Sequence, residues 1–167
     1  MEWIMNRRST RKFQDKPVEE EKVERLLRAA MQSPTGHDAQ DWEFLVITRE
    51  ETRQKVSEMS PFTVCAKNAP LVIVTLANLQ RAVPDEPLWK CDMGAVCQTI
   101  LLEAEYLGLG GTWLACYPHE GRMAYLKELF ALPDHVVPYS VMALGYKQYV
   151  KNPVDRFDPE KVHWEQY

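Results

Sequence analysis

Asp92-Met93-Gly94-Ala95-Val96-Cys97-Gln98-Thr99-Ile100-Leu101-Leu102-Glu103-Ala104-Glu105-Tyr106-Leu107-Gly108-Leu109-Gly110-Gly111-Thr112-Trp113 reads as a long helix that turns directly into a strand. Met93, Val96, Cys97, Ile100, Leu101, Ala104 and Leu107 recur at steps of three and four and form one wide apolar stripe. Asp92 is expected to cap the helix and Gly108 to close it. The glycines at 108, 110 and 111 then permit a tight turn and a close backbone approach, although they match neither the GxGxxG nor the GKS/T arrangement of nucleotide loops. A stripe this wide predicts the central core helix, so the neighbouring segments must supply a sheet for it to cover.

Working outward, Phe44 to Thr48 and Leu71 to Leu76 are short apolar, β-branched runs that predict buried strands. Gly111 to Tyr117 and Tyr139 to Leu144 complete the strand candidates. Pro17 to Gln32 has an acidic first turn and apolar residues at Val23, Leu26, Leu27, Ala30 and Met31, which predicts an amphipathic helix stopped by Pro34. Further helices are expected over residues 50–59, from Ser60 as cap with Pro61 at the first position to before Pro70, and over 120–130. Arg81 to Lys90, rich in proline and acid, predicts a loop. This order is compatible with either a parallel or a mixed sheet, and periodicity does not choose between them.

The chain has 167 residues, 46% hydrophobic and 26% charged, which predicts a single globular domain over 1–167. It holds no membrane-length apolar run and does not open with a signal-peptide pattern, so a cytoplasmic protein is expected. A net charge of −4 argues against a general nucleic-acid binder. Cys65, Cys91, Cys97 and Cys116 form no CxxC pair and have no histidine at ligand spacing, so neither a metal site nor a disulfide framework is indicated, and mostly buried, reduced thiols are expected.

Against this acidic background Arg7-Arg8-Ser9-Thr10-Arg11 places three guanidinium groups and two hydroxyls in one short stretch, an arrangement suited to an anion such as phosphate. It is followed by Lys12-Phe13 and Pro17-Val18, by Ser33-Pro34-Thr35-Gly36-His37-Asp38-Ala39-Gln40-Asp41-Trp42, by the glycine block at 108–113, by Leu132-Pro133 and Ala143-Leu144-Gly145-Tyr146, and by the tail from Arg156-Phe157 to His163-Trp164-Glu165. In this order and spacing the blocks resemble the small members of the nitroreductase family of flavin mononucleotide (FMN) enzymes, over nearly the whole chain. The resemblance implies an α+β fold with a central mixed or antiparallel sheet flanked by helices, in a homodimer with two flavin sites at the interface.

The resemblance also implies roles. Arg7 and Ser9 would grip the FMN phosphate with help from Arg8, Arg11 would reach the pyrimidine side of the ring, and Arg156 would return to the phosphate from the tail. Read from the residues alone, Arg156 is a surface arginine beside Asp155 and Asp158. Trp113 and Leu114 would lie against one ring face, with the backbone amides of Ala115 and Cys116 near N5 and O4. In the second block the family commonly has Pro-Ser-Ala-x-Asn-x-Gln-Pro-Trp. Asp38 here stands for Asn and Asp41 for Pro, so Asp38 can only accept hydrogen bonds when ionised, and Gln40 is the safer polar contact. Trp42 is expected in the core. Cys116 has no base nearby in sequence to lower its pKa, so no side chain is assigned as catalytic.

The activity implied is hydride transfer from NADH or NADPH through FMN to an electron-poor acceptor, a nitroaromatic, quinone or similar, in a ping-pong cycle at one open ring face. A lid is expected in Ser60 to Ala66 and Arg81 to Cys91, with Phe62 and Trp89 as pocket walls. The alternatives are another redox reaction on the same scaffold (enone reduction, reductive dehalogenation, oxidation of a bound product), a flavin-binding or flavin-degrading module, or a member that keeps the fold for interaction alone.

Overall fold

The run Leu71–Asn78 (β2) is apolar without alternation, and the computed structural model, which describes residues 2–167, buries all eight of its residues. The side chains feed two separate cores, Val72, Val74 and Leu76 on one face of the sheet and Leu71, Ile73 and Ala77 on the other. Each large aliphatic side chain so buried contributes about 1.5–3 kcal/mol, which makes β2 the axis of the fold.

β1 (Trp42–Ile47) pairs with one edge of β2 and β4 (Val136–Tyr146) with the other, and β3 (Leu109–Ala115) lies outside β4. The order is β1-β2-β4-β3 and every pairing is antiparallel. Helices cover both faces, so the strands can be apolar throughout without being parallel. On one face α2 (Glu20–Ala30) and α4 (Trp89–Tyr106) share a core with Ile73 and Met142; on the other, Val56 of α3 (Glu50–Ser57) and Leu126 of α5 (Glu120–Phe130) pack with Val72 and Val141. The apolar stripe of α4 is buried as expected, from Met93 to Ala104.

Three local expectations are corrected. First, α4 begins at Trp89, three residues before Asp92, because Leu88 opens the first turn by accepting from the N–H groups of Cys91 and Asp92. Asp92 is therefore not a cap but a buried side chain inside the helix, and Trp89 and Lys90 leave the expected loop. Second, the helix expected from Ser60 is replaced by turns and a short 3-10 helix, Val64–Asn68. Thr63 causes this: its buried Oγ1 accepts from the Ser60 N–H at 2.9 Å and donates to the Ser60 carbonyl at 2.7 Å, offering the backbone a local alternative to helix. Third, a short helix that the sequence did not announce, α1 (Glu2–Asn6), sits on α4 through an edge-on contact of Trp3 with Tyr106 at 6.0 Å. Beyond β4 the chain is almost wholly exposed, with Val150, Phe157 and Trp164 showing large apolar surfaces. No helix among the described residues is long and apolar enough to cross a membrane.

Candidate functional site

The basic segment is fastened to the glycine block. Ser9 and Gly111 form a parallel bridge, the Thr10 N–H donates to the Gly111 carbonyl at 2.9 Å, and the chain then crosses the end of the sheet to bridge Phe13 with Lys147. Tail residues tighten the corner, since Lys151 Nζ donates to the Ser9 carbonyl at 2.9 Å and Arg8 Nη1 to the Asn152 carbonyl at 2.8 Å. Arg8 is thus committed to the tail. The guanidinium groups of Arg7 and Arg11 have no carboxylate or carbonyl partner among the described residues. Arg11 borders a polar pocket of about 620 Å³ that also takes in Lys12, Arg53 and Lys67. Lys151 adds to this positive corner, a contribution sequence reading missed because an isolated lysine carries no motif, whereas the Lys147 ammonium is paired with the Glu105 carboxylate. Arg156 is exposed, makes no hydrogen bond or ion pair among the described residues, and lines none of the three pockets bordered by Arg8 or Arg11.

Beyond Gly111 the outer edge of β3 carries free backbone groups, and three contacts fix which ones. The Gly111 carbonyl faces outward to Thr10, the Ala115 carbonyl faces outward to Arg122 Nη1 at 2.7 Å, and the Cys116 N–H faces inward to the Tyr139 carbonyl at 3.2 Å. In an antiparallel pair the N–H and C=O of one residue point the same way, so the outward amides are those of Gly111, Trp113 and Ala115. Two expectations narrow accordingly. The Cys116 amide is already bonded within the sheet, which leaves Ala115 to present an N–H at the edge. Leu114 is 5% exposed in the core shared with α5, whereas Trp113 packs toward the α4 side, since neighbouring strand residues point to opposite faces. Burial pushes the Cys116 thiol up to about 12, so it is inert at neutral pH. Cys97 is buried, Cys65 half-buried and Cys91 exposed.

The second block forms a separate feature. Residues 36–38 make a 3-10 turn, and His37, Asp38 and Gln40 all adopt left-handed backbone angles, φ 52°, 56° and 47°. Such angles in non-glycine residues cost about 1–3 kcal/mol each and need surroundings that impose them. Asp92 imposes them here. Its carboxylate accepts from the Gly36 N–H at 3.1 Å and from Thr35 Oγ1 at 3.1 Å, and Thr35 Oγ1 in turn accepts from the Gln40 N–H at 3.1 Å. Asp38 and Gln40 are exposed and bonded to each other at 2.8 Å, and Trp42 is in the core as expected. This loop precedes β1, the edge strand opposite β3, and no hydrogen bond joins Asp38 or Gln40 to Arg7 or Ser9 among the described residues.

Trp89, Tyr117, Tyr139 and Trp113 form a contiguous aromatic group running from the first turn of α4 to the edge of β3, with Trp89 and Tyr117 edge-on at 5.0 Å. Trp89, Lys90 and Tyr117 line a cleft of about 420 Å³ with residues 82–87. Phe62 is 75% exposed and has the Arg122 guanidinium over its ring at 5.8 Å. Arg122 therefore joins the Ser60 to Ala66 segment to the Ala115 carbonyl, a role that nothing in its sequence context signals.

The profile of the Nitroreductase family matches residues 4–83 and again 65–146. A candidate NADH dehydrogenase/NAD(P)H nitroreductase of Methanothermobacter thermautotrophicus is 38% identical over all of this chain and 87% of its own length. Among solved structures, a candidate NADH oxidase of Clostridium acetobutylicum is 43% identical with a TM-score of 0.95, covering 99% of each chain. An FMN-dependent nitroreductase of Clostridium difficile R20291 is 28% identical with a TM-score of 0.92, covering 99% of this chain and 98% of that one. With the antiparallel sheet, the fastened arginine segment and the glycine-lined edge, these matches establish that the chain belongs to the nitroreductase family.

Proposed function

We propose that this chain is an FMN-dependent NAD(P)H oxidoreductase that reduces electron-poor small molecules, nitroaromatics or quinones, and works as a homodimer. The observation that carries the reading is the pinning of Arg7 to Arg11 against Gly111 with the Arg7 and Arg11 guanidinium groups unpaired. The donor set fits the cofactor. A phosphate needs cations and hydroxyl donors, which Arg7 and Ser9 supply. From Gly111 to Ala115 the strand edge runs about 13 Å, enough for the five-carbon chain that separates phosphate from ring. At its far end the outward Ala115 amide can donate to N5 or O4, Trp113 can flank the ring, and Arg11 can offset the negative charge that reduction puts near N1 and O2.

Bound FMN would supply the chemistry, taking a hydride from the nicotinamide and delivering it to the acceptor. The protein's own part is to hold phosphate and ring edge, leave one face open to nicotinamide and acceptor in turn, and wall that space with Trp89 and Phe62. That use of one face gives a ping-pong cycle without a catalytic side chain. The separation of the blocks supports the homodimer: β1 and β3 are opposite edges, about 14 Å apart at ordinary strand spacing, which leaves the loop carrying Asp38 and Gln40 free to meet a site on a second copy. The exposed Phe157 and Trp164 give the tail apolar surface with which to bind that copy.

An absorption spectrum tests the reading. The protein loaded with FMN should show oxidised-flavin bands that NADH or NADPH bleaches and a quinone or nitroaromatic restores. Flavin that stays bound but is bleached by neither nucleotide would point to a flavin-binding or flavin-degrading module instead.

A further inference from the structure

Asp41 belongs to the second block, and the proposed function leaves it without a task. Its side chain is fully buried at the entrance to β1, and neither carboxylate oxygen has a hydrogen-bond partner. An ionised carboxylate in that position would face a desolvation cost of several kcal/mol, so a buried, uncompensated Asp takes up a proton instead. Its surroundings sharpen the point. On α4 stands Asp92, itself buried and already accepting from Thr35 and Gly36. On β1, Glu43 is occupied with the Asn78 side-chain amide at 2.7 Å; on the loop, His37 and Asp38 are exposed, and Asp38 is bonded to Gln40. Asp92 is the charge that acts on Asp41, and no cation pairs with Asp41 among the described residues.

We propose that Asp41, buried without a partner and repelled by the Asp92 charge, is held as the neutral acid in the folded protein, and that this proton keeps the strained 35–40 loop seated on the first turn of α4. Asp41 directly follows the strained loop, so a charge developing on its buried, unpartnered carboxyl would act against the seat that Asp92 gives Thr35 and Gly36. Asp41 and Asp92 are therefore positioning residues for the loop that carries Asp38 and Gln40. The consequence for cofactor binding rests on the reading given under Proposed function; the proton on Asp41 does not.

Burial first, and the Asp92 charge second, raise the Asp41 carboxyl from 3.8 to about 6. A raised acid pKa means that the folded state holds a proton the unfolded chain has lost, so stability is full below about 3.8, falls as pH rises toward 6, and is level above it.

Urea unfolding of the full-length protein at a series of pH values provides the test. The wild-type midpoint should fall between about pH 4 and 6, and Asp41→Asn, which has no proton to lose, should lack that fall. Asp92→Asn, which removes the repelling charge, should move the fall to lower pH. A wild-type midpoint that does not fall, an equal fall in Asp41→Asn, or a fall left in place by Asp92→Asn would each overturn the proposal. In a second arm, FMN affinity of wild type relative to Asp41→Asn, a ratio in which the phosphate's own titration cancels, should drop above about pH 6 by up to tenfold per pH unit, the limit for one linked proton. A flat ratio beside a positive unfolding result would overturn the loop's part in cofactor binding and leave the proton on Asp41 standing.

Discussion

Gly110 and Thr10 approach so closely that a Cβ at position 110 would lie 2.5 Å from Thr10 Oγ1 and 2.9 Å from Thr10 Cβ. The basic segment thus reaches the β3 edge only because that residue has no side chain.

Gly110→Ala should therefore push Thr10 outward and carry Arg7 to Arg11 with it. Overpacking of this kind costs about 1–3 kcal/mol in stability, and FMN retention should fall in parallel. Urea unfolding together with a flavin titration checks both; wild-type values in each would contradict the role given to the close approach.

Arg7→Ala should lower FMN affinity by about 1.5–3 kcal/mol, the range for a hydrogen bond to a charged group, or roughly ten- to a hundredfold. The fold should survive, since Arg7 pairs with no carboxylate among the described residues. Titration of the flavin-free variant, with circular dichroism as the folding control, decides the matter.

Cys116→Ala should retain most of the turnover, because the thiol is buried and protonated and the Cys116 amide is bonded to Tyr139. Arg11→Ala should make the bound flavin harder to reduce by removing the cation beside its pyrimidine edge. Turnover and reduction potential measured on both variants separate the two accounts; loss of turnover in the first with an unchanged potential in the second would require a thiol mechanism.

The full-length protein should have the mass of a dimer by light scattering, and a chain ending at Val150 should dissociate and retain less flavin. The tail carries Phe157 at 76% and Trp164 at 83% exposure, surface that a second copy would cover. A monomeric mass for the flavin-loaded full-length chain would remove the dimer from the account.

The sequence conveyed the fold well where a single periodicity ruled. The stripe of α4 and the limits of α5 follow from apolar spacing and flanking turn residues, and β2 from an unbroken apolar run. It failed where a side chain competed with the backbone, as at Thr63, or where packing outweighed a capping residue, as at Asp92. The parallel or antiparallel choice was hidden because helices cover both faces and remove the alternation that would have marked an open side. At the site, the resemblance named Arg7 to Arg11 and the glycine block as separate contacts of one cofactor, and their direct joining through Ser9 and Gly111 was not legible. Which amides face outward was not legible either, since one residue of register decides between Ala115 and Cys116. The burial of Asp41 was equally invisible, because an aspartate before a tryptophan reads as an ordinary strand entrance.

A Cβ at Gly36 would lie 2.7 Å from Leu88 Cδ1, so the strained loop rests directly on the residue that opens α4, and the next residue, Trp89, stands 5.0 Å from Tyr117. Loop and cleft wall therefore share one hinge point. Anyone recruiting this scaffold for a new acceptor by randomising residues 82–90 would disturb the loop with every change at Leu88. A combinatorial library that holds Leu88 and Asp92 constant while varying Val83, Glu86 and Lys90 should return far more folded, flavin-retaining clones than one that varies the whole segment.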